Sequence, residues 1–588
     1  MHLHVLACDL DGTLAEDGVV SRETWGQLRR ARRAGIALVL VTGRRLETFA
    51  ENGPFAELFE AIVAEDGAAI YFPRNDSVLM PFGRVEPALI QRLEARGIPI
   101  ERGMAIVATW TPHDRVVLDV LRETGGAATV EYNKGAVMIL PPGATKGTGL
   151  LTALHELGYS IRNVLACGDA ENDRSLFEVA EMAIAVDNAT PEIKQIADIV
   201  LPYRDGEAVR AVIDFLLDGS FPPHALRRDR RLLLGHSLSD QPVHLDPFQL
   251  LDFNLGIVGS SASGKSWLAG LLTEELLRLG YQVCVIDPEG DYRGLRAFPH
   301  TLALGGAGSA LPPVEDLVTL STYSNVSLIL DLSAYGIEER AAYVSSLMPA
   351  LLALRARRGR PHWFLIDEIH NFCPSGGGSL SGPMCQGMQA GGFGLVGFRP
   401  SQVEPAVLDA IDNWLLTRTM LPEELGVLEE RLTAAGIDDV AGQLATLPVG
   451  QAYLLSGAEG GGMPRAEIVS FKRMRRIVPH VRHLQKYLRA PLPEAKRFYF
   501  SAPGSYRGPR VASNLWEFRE AVQHVPFGTL DYHLHRGDFD RWTKDVLHDE
   551  ELARRLRKLA RRPESQKTLR EALVATVADR YEELESLI

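Results

Sequence analysis

Two aspartates near the amino terminus have a spacing that suits acid and nucleophile chemistry around a shared cation. Asp9 and Asp11, in the run CDLDGTL, follow an apolar run that is typical of a buried β-strand. Side chains two residues apart on a strand point the same way, so the two carboxylates face one site. Such a pair can share one cation and divide the roles of nucleophile and acid. The spacing therefore predicts a cation-assisted reaction at the end of the first strand.

Further polar residues follow in an order that suits the same site. Thr42 ends the next strand-like run in VTGR, ATKG contains Lys146, and CGDAENDRSLF supplies Asp169, Asn172 and Asp173. Three of these four motifs, counting CDLDGTL, lie at the ends of predicted strands. In an open α/β sheet the strand ends on one edge form the binding crevice, so we expect these side chains to converge.

In order and spacing, the four motifs resemble the haloacid dehalogenase superfamily of phosphotransferases, in the branch with a cap between the second and third motifs. The resemblance implies that Asp9 attacks phosphorus to give an aspartyl-phosphate, while Asp11 protonates the leaving oxygen and then activates water. The implied Mg²⁺ ligands are Asp9, Asp11, Asp169 and Asp173. The implied donors and substrate-orienting residues are Thr42, Lys146 and Asn172.

The cap is expected to span residues 82–142 and to have an α/β pattern. Caps in this family usually close over small phosphorylated molecules, so the resemblance implies such a substrate rather than a phosphoprotein. Cap residues that could face the substrate are Trp110, His113, Asn133 and Lys134. One position departs from the family, which often has Asn-Gly where this chain has Asp66 before Gly67. The extra anion is expected to lower the affinity for phosphate.

A second phosphate-binding motif opens another α/β region. The run GSSASGKS lies between the strand-like LGIV and a helix-like run, and it matches the P-loop pattern. In such a loop, backbone N–H groups cradle the phosphates, Lys265 reaches the β and γ oxygens, and Ser266 holds Mg²⁺. The expected ATP-binding residues of the loop are Gly259, Ser260, Ser261, Ala262, Ser263, Gly264, Lys265 and Ser266.

Acidic residues follow a later strand of the same region. HWFLIDEIH ends in Asp367, which can engage Mg²⁺ through water at the ATP site, and Glu368, which can polarise attacking water. That glutamate favours hydrolysis over transfer to an acceptor. The run DPEGDY adds Asp287, Glu289 and Asp291 after the intervening strand.

With DPEGDY, GFRPSQVEPAVL and LPVGQAYL, the segment 233–470 resembles the HerA/FtsK superfamily of ring-forming ATPases. The resemblance implies ATP as ligand and a homo-oligomer, with a hexamer as the expected ring. Two departures weaken a motor role, because Phe398 stands where these ATPases usually have Gln and the phosphatase region takes the place of the HerA amino-terminal barrel. Arg399 and Arg418 are candidate arginine fingers, although a structural or solvated role is favoured for each.

The composition and charge limit the partners. The chain has 588 residues, which suggests three to four domains, and its 46% hydrophobic and 23% charged residues indicate that most of it folds. A net charge of −13 argues against nucleic acid or anionic membrane binding by the whole molecule. The basic run from Lys472 to Arg489 is a local exception, for which nucleic-acid binding is possible but not favoured.

No apolar run is long enough to span a bilayer, no signal-peptide layout is present, and the five cysteines are scattered without a C-x-x-C pair. These features predict reduced core cysteines, a cytoplasmic location and no membrane partner. In the tail, His533, His535, Asp538 and Asp540 lie close together, but a structural role is favoured over a metal site.

Strand-like runs alternate with amphipathic helix-like runs through most of the first 450 residues, which predicts parallel α/β sheets. We expect a Rossmann-like phosphatase core with an α/β cap at 1–218 and a linker at 219–232. A RecA-like P-loop ATPase domain follows at 233–475, and a small, mostly helical domain at 476–588.

Three functions remain open at this stage. The first is a bifunctional hydrolase, in which Mg²⁺-dependent phosphoester cleavage is linked to ATP-driven assembly or remodelling. The second is a kinase joined to a phosphatase that acts on nucleic-acid ends, against which Glu368 and DPEGDY argue. The third is a metabolite phosphatase fused to a nucleotide-binding switch or scaffold, with Phe398 as a sign of weak hydrolysis.

Overall fold

The computed structural model divides the chain into two compact units. Unit 1 comprises Met1–Cys284, Pro312–Leu328 and Gly336–Met474, and unit 2 comprises Val285–Leu311, Ile329–Tyr335 and Arg475–Ile588. The residues that the structure describes are 2–50, 53–125, 127–133, 135–219, 230–260, 263–306, 309–397, 399–434, 440–456, 465–478, 488, 492, 497–501, 510–547, 549–561 and 566–585.

The first part of unit 1 is a sheet in the order β12-β11-β10-β1-β2-β3-β4-β5. Its strands are β1 (Val5–Cys8), β2 (Ala37–Val41), β3 (Ala61–Ala64), β4 (Ala69–Phe72), β5 (Ser77–Leu79), β10 (Val164–Gly168), β11 (Met182–Ala185) and β12 (Ile199–Val200). Strands β12 to β3 pair in parallel, and β4 and β5 are antiparallel additions.

Helices flank this sheet. They are α1 (Arg22–Arg33), α2 (Glu47–Ala50), α3 (Gly53–Leu58), α6 (Lys146–Leu157), α7 (Arg174–Val179), α8 (Pro191–Ile196) and α9 (Asp205–Asp218). Every residue of β1, β2, β3 and β10 is buried, as expected for parallel strands covered on both faces. The predicted Rossmann-like core is confirmed.

A small antiparallel sheet, in the order β6-β7-β9-β8, forms the cap. It consists of β6 (Glu101–Arg102), β7 (Val107–Trp110), β8 (Thr129–Asn133) and β9 (Ala136–Leu140), and its helices are α4 (Pro87–Ala95) and α5 (Asp114–Thr124). These elements pack around their own apolar cluster, which includes Leu93, Val107, Val117 and Ile139. The cap is therefore a separate layer inserted into the core.

The α/β region after residue 230 contains the predicted P-loop strand and helix. Its strands are β13 (Leu232–Ser237), β14 (Pro242–Leu245), β15 (Leu255–Val258), β16 (Val283–Asp287), β17 (Thr301–Gly305), β18 (Ser327–Asp331), β19 (Trp363–Ile366), β20 (Phe393–Gly397), β21 (Asn413–Leu416), β22 (Gln451–Ser456) and β23 (Arg465–Ser470). Within unit 1 the sheet order is β14-β13-β23-β22-β21-β15-β20-β19.

The helices of this region are α10 (Phe248–Leu251), α11 (Lys265–Arg278), α12 (Val314–Ser321), α13 (Ile337–Arg358), α14 (Ser381–Met388), α15 (Pro405–Asp409), α16 (Pro422–Ala434) and α17 (Val440–Thr446). Strands β19, β20, β15 and β21 pair in parallel, whereas β22, β23, β13 and β14 are antiparallel neighbours. The predicted second α/β domain is confirmed.

In unit 2, the described residues between 497 and 585 form the predicted mostly helical region. Its elements are β24 (Phe498–Phe500), β25 (Arg510–Ala512), α18 (Leu515–His524), α19 (Phe527–His535), α20 (Asp538–Asp545), α21 (Glu550–Ala560) and α22 (Gln566–Glu585). An aromatic cluster of Phe498, Phe518, Phe539 and Trp542 lies at its centre. None of the helices that the structure describes combines the length and apolar character needed to cross a membrane.

The two α/β parts of unit 1 meet through the amino ends of their parallel strands. Asn163 precedes β10 and donates from Nδ2 to the carbonyl of Gly359, which precedes β19. Arg360 Nη2 donates to the carbonyl of Gly158 at 2.6 Å. His2, before β1, pairs with Asp252, before β15. The carboxyl ends of both sets of strands therefore point away from this interface.

Candidate active sites

The first candidate site lies at the carboxyl ends of β1 and β10. Asp9 follows β1, and Lys146 opens α6 behind an N-cap from Thr145. Lys146 Nζ lies 2.6 Å from Asp9 Oδ1 and 2.7 Å from Asp173 Oδ1, and all three side chains are almost fully buried. The lysine thus bridges two of the predicted carboxylates.

Three carboxylates come close enough together to hold one cation. Ligand oxygens of Asp9, Asp169 and Asp173 lie within 4.8 Å of one another, and all three residues are buried. One buried lysine leaves this group with excess negative charge, and an all-oxygen donor set is what Mg²⁺ prefers. The residues present therefore fit the divalent cation that the family resemblance implies.

Hydrogen bonds fix the orientation of the carboxylates. Asp173 Oδ2 accepts the backbone N–H groups of Asp169 and Ala170 at 2.8 and 3.0 Å. Thr13 donates its hydroxyl to Asp169 Oδ1 at 3.2 Å. A Cβ on Gly168 would lie 2.7 Å from Asp173, so this glycine lets the side chain approach the strand end.

The pKa values in this group follow from burial and mutual charge. Burial raises the pKa of Asp9, and the charges of Asp173 and Asp169 act in the same direction, whereas Lys146 opposes them. Burial alone would lower the pKa of Lys146, but Asp173, Asp9 and Asp66 outweigh it and raise that pKa. Lys146 therefore stays protonated as a fixed cation beside Asp9.

Asp11 has a different environment from Asp9. Its carboxylate accepts two hydrogen bonds from Arg44, from Nε at 2.7 Å and from Nη2 at 2.5 Å. It does not belong to the three-carboxylate group found among the described residues. Arg44 was not among the predicted site residues, although the sequence places it two residues after Thr42 in the same loop.

The buried Asp66 lies beside the phosphatase residues. Its Oδ1 accepts from Asn172 Nδ2 at 2.9 Å, and a Cβ on Gly43 would lie 3.1 Å from the same oxygen. Its Oδ2 has no hydrogen-bond partner in the part of the chain that the structure describes. Burial raises the pKa of Asp66, against the opposing effects of Lys146 and Asn172. The departure from the family pattern thus places a carboxyl where its charge is disfavoured.

A cleft of about 280 Å³ opens above these residues, between the core and the cap. Asp9, Asp11 and Thr42 line it from the core, and Trp110 and Asn133 line it from the cap. Of the other predicted cap contacts, His113 is not among the lining residues and Lys134 lies outside the described residues. The size suits a small molecule rather than a folded protein segment.

The second candidate site is the P-loop between β15 and α11. Lys265 begins the helix and donates from Nζ to the carbonyl of Ser260 at 3.0 Å. Gly264 has a φ of 109°, which L-residues rarely adopt. Ser263 and Ser266 are described as well, whereas Ser261 and Ala262 lie outside the described residues.

Residues directly after β21 contact the P-loop. Ser263 Oγ and Thr417 Oγ1 are 2.6 Å apart, and Ser260 donates its N–H to the carbonyl of Arg418 at 2.8 Å. A Cβ on Gly259 would lie 1.9 Å from Thr417 Oγ1. Thr417 carried no sequence signal, because its contact with the loop spans more than 150 residues.

Asp367 and Glu368 follow β19 at the same edge of the sheet as the P-loop, because β20 lies between the parallel strands β15 and β19. Asp367 is buried, and Glu368 has a φ of 46°. Glu368 Oε2 lies 3.4 Å from His370 Nδ1. Phe398 lies outside the described residues.

In unit 2, the DPEGDY run forms a compact turn. Asp287 accepts backbone N–H groups from Glu289, Gly290, Asp291 and Tyr292 at 2.7–3.2 Å. Burial raises the pKa of Asp287, and Asp291 and Asp331 add to the effect, while the N–H groups of Tyr292 and Asp291 oppose it. The aspartate therefore organises its own loop.

The tail residues that suggested a metal have other partners. His533 Nδ1 lies 2.8 Å from Asp538 Oδ2, and its Nε2 accepts the N–H of Ser501 at 3.1 Å. Asp540 pairs with Arg557. These contacts support the structural role favoured from the sequence.

The basic run is described only in part. Arg473 pairs with Asp240 at 2.7 Å, with both side chains exposed. Arg482, Lys486 and Arg489 lie outside the described residues.

Comparison with known proteins identifies both α/β parts. A haloacid dehalogenase-like hydrolase family matches residues 6–81 and 115–213, and the family described as helicase HerA, central domain, matches residues 232–339. Both matches agree with the resemblances found in the sequence.

Phosphoglycolate phosphatase 2 of Saccharolobus solfataricus is 32% identical over 222 residues, which are 37% of this chain and 94% of that protein. Phosphoglycolate phosphatase of Methanothermobacter thermautotrophicus is 30% identical over 219 residues, which are 36% of this chain and 97% of that protein. A solved haloacid dehalogenase-like hydrolase from Bacteroides thetaiotaomicron is 19% identical, with a TM-score of 0.33. The match covers 36% of this chain and 99% of that protein.

A parallel α/β core with an aspartate at the end of its first strand, a lysine beside it and a cap above defines a class of phosphoryl-transfer hydrolase. The chain belongs to the haloacid dehalogenase-like hydrolases through its amino-terminal part. It fuses that domain to a HerA-like domain.

Proposed function

We propose that the chain is a bifunctional hydrolase. The amino-terminal part would cleave a small phosphorylated substrate through an aspartyl-phosphate on Asp9, with Mg²⁺ as cofactor. The P-loop part would hydrolyse ATP to drive assembly or remodelling. The buried group of Asp9, Lys146 and Asp173 beneath the cleft carries the phosphatase proposal.

The residues of the first site divide the reaction between them. Asp9 forms a bond to phosphorus as the P–O bond to the leaving group breaks, and Asp11 gives its proton to the leaving oxygen. Water then attacks the aspartyl-phosphate, Asp11 takes a proton from that water, and phosphate leaves with Asp9 restored. Arg44 orients Asp11 for both proton transfers.

Fixed charges balance the charge of the moving phosphoryl group. Lys146 and Thr42 donate to its oxygens, and Asn172 orients the substrate. Asp9, Asp169 and Asp173 would hold Mg²⁺, with Asp11 beside it, and the bound cation would neutralise charge on the phosphoryl oxygens.

Phosphoglycolate is the first substrate to test, because both named relatives are phosphoglycolate phosphatases. The cleft of about 280 Å³ accommodates a molecule of this size, and Arg44 and Arg45 line it. A small phosphorylated acid is therefore the proposed substrate class.

At the second site, Lys265 would bind the β and γ phosphates, while Ser266 and Asp367 would engage Mg²⁺ and Glu368 would polarise water. We propose a homo-oligomer, with a hexameric ring as the expected form. We also propose functional boundaries at 1–218, 233–475 and 476–588, although 220–229 of the linker 219–232 lie outside the described residues.

One pair of assays tests the proposal. Purified protein should release phosphate from phosphoglycolate with Mg²⁺ but not with excess EDTA, and it should hydrolyse ATP equally well with and without a 5′-hydroxyl oligonucleotide. Transfer of phosphate to that oligonucleotide would establish the kinase–phosphatase alternative instead. ATP binding without turnover would favour the switch or scaffold, and light scattering with a non-hydrolysable ATP analogue would detect the ring.

A further inference from the structure

Glu65 belongs to the core, but its carboxylate is bound mainly by the cap. Glu65 Oε1 accepts the backbone N–H of Met104 at 2.9 Å, and Oε2 accepts those of Ala105 and Ile106 at 2.8 and 3.2 Å. Leu46, in the core, donates its N–H to Oε1 at 3.4 Å. The side chain is fully buried. Three successive N–H groups of the turn between β6 and β7 thus form an anion-binding nest.

The shape of that turn depends on the carboxylate. A Cβ on Gly103 would lie 2.7 Å from Glu65 Oε2, so only glycine lets the carboxylate reach the three N–H groups. Gly103 donates its own N–H to the carbonyl of Ile106, which closes the turn. The nest is therefore built around one specific occupant.

On the core side, Glu65 is anchored to the loop of the phosphatase site. Glu65 donates its N–H to the carbonyl of Arg44 at 3.0 Å, and Asp66 donates to that of Thr42 at 3.1 Å. Both Glu65 and Asp66 have left-handed backbone conformations, with φ of 53° and 49°. Such conformations are strained in residues other than glycine and persist only where surrounding contacts impose them.

The turn held by Glu65 forms part of the roof of the cleft. Gly103 and Ile106 line the cleft from the cap, opposite Asp9 and Asp11. We propose that Glu65 is a positioning residue, which fixes the cap over the phosphoryl site by holding the β6–β7 turn. It touches neither the reacting atoms nor the substrate, and it acts through the main chain of the cap.

Hydrogen exchange tests the clamp directly. Glu65→Gln keeps the size of the side chain but turns an amide donor toward a nest of donors. The amides of residues 104–106 should then exchange about tenfold faster or more, because the bonds to a charged acceptor are lost. Glu57→Gln, an exposed charge-matched change in the same core, should leave this exchange at the parent rate.

A second variant approaches the contact from the cap. Gly103→Ala should push the carboxylate away and speed amide exchange in residues 104–106, as Glu65→Gln does. The two variants are independent, so either one tests the clamp if the other folds poorly. Gly26→Ala is its control, because a Cβ there would meet nothing within 4 Å. Parent-like exchange in folded Glu65→Gln or folded Gly103→Ala would overturn the clamp.

Kinetics test the positioning role, and this arm rests on the proposed phosphatase function. With phosphoglycolate, kcat/KM of Glu65→Gln should fall about ten- to a hundredfold, mostly through KM, because the roof of the cleft is displaced. Faster exchange with unchanged kcat/KM would overturn the role. If the parent itself lacks activity, the proposed function fails, while the exchange experiment still decides the clamp.

Discussion

At the scale of single residues, the proposed nucleophile Asp9 depends on Lys146 for its ionised form. Burial disfavours a charged Asp9, and Asp173 and Asp169 add to that effect, so the neighbouring ammonium group is the main opposing influence among the chain's own residues. The lysine lies within 2.7 Å of both Asp9 and Asp173. Lys146 therefore offsets only part of the negative charge of this group.

Asp9→Asn should remove phosphatase turnover by several orders of magnitude and leave ATP hydrolysis near its original rate. An amide cannot form the acyl-phosphate, and the P-loop belongs to a separate sheet. Phosphate release and ATP turnover measured on one preparation check this. Equal loss of both activities in a folded protein would contradict the two-site arrangement.

Asp66→Asn should raise the thermal stability by a few degrees near pH 8 and change it little in acid. Because burial sets the folded-state pKa of Asp66 above the unfolded value, its favourable contribution is complete below the unfolded pKa and is lost as the pH rises through the folded pKa. Melting temperatures of parent and variant across pH 5–8 measure the difference. A gain in melting temperature that does not grow with pH would show that the ionised form of Asp66 does not destabilise the fold.

Residue types and spacing predicted the pair Asp9 and Asp11 at a strand end, and the family resemblance added Lys146, Asp169 and Asp173 with their expected roles. Neither predicted Arg44 or Glu65, and Asp66 stood out only as a departure from the family pattern. The role of Glu65 depends on a turn about forty residues away, and that of Asp66 on Asn172, more than a hundred residues away. Contacts of this kind arise only when distant segments of the chain fold together.

At the scale of elements, the P-loop is held by packing from both sides. Phe471, directly after β23, stacks on Trp267 of α11 with ring centroids 5.3 Å apart, and a Cβ on Gly264 would lie 3.1 Å from Phe471. Thr417, after β21, contacts Ser263. The motif and its flanking strand and helix could be predicted from the sequence. The supporting residues Thr417 and Phe471 could not, because they lie more than 150 residues after the loop in the chain.

Lys265→Ala should remove ATP turnover and leave phosphoglycolate hydrolysis intact. The lysine ends beside the loop carbonyl of Ser260, where it can swing to a bound triphosphate, and no other predicted loop residue carries a positive charge. Loss of ATP turnover by at least about a hundredfold is expected in a steady-state assay. Normal ATPase in this variant would mean that the P-loop does not bind the hydrolysed nucleotide.

At the scale of the whole molecule, the two α/β parts of unit 1 are oriented so that their candidate sites face away from each other. Their parallel strands meet at the amino ends, whereas both candidate sites lie at the carboxyl ends. Any coupling of the two sites within unit 1 would therefore have to pass through the interface. The sequence predicted both sheets but not this arrangement, because the buried polar contacts join residues from distant segments.

Glu181 is the central charge of that interface. Its fully buried carboxylate accepts Arg162 Nη1 at 3.0 Å, Arg230 Nη1 at 2.6 Å and the hydroxyl of Tyr281 at 2.6 Å. Burial alone would raise the pKa of Glu181, but Arg230 and Arg162 outweigh it and lower that pKa. The carboxylate is thus charged at neutral pH. It joins the core to Tyr281, which lies two residues before β16.

Glu181→Gln should destabilise unit 1 by about 1–3 kcal/mol at neutral pH, because it leaves two partly buried guanidinium groups without their counter-charge. Since the folded-state pKa is lowered, the contribution of Glu181 is present above the unfolded pKa and is lost as the pH falls through the folded value. The difference in the free energy of unfolding between parent and variant should therefore become smaller in acid. Calorimetric unfolding across pH measures it, with Glu178→Gln, an exposed neighbour, as the control. A gap that is independent of pH, or equal in both variants, would show that the ionised Glu181 does not hold the two parts together.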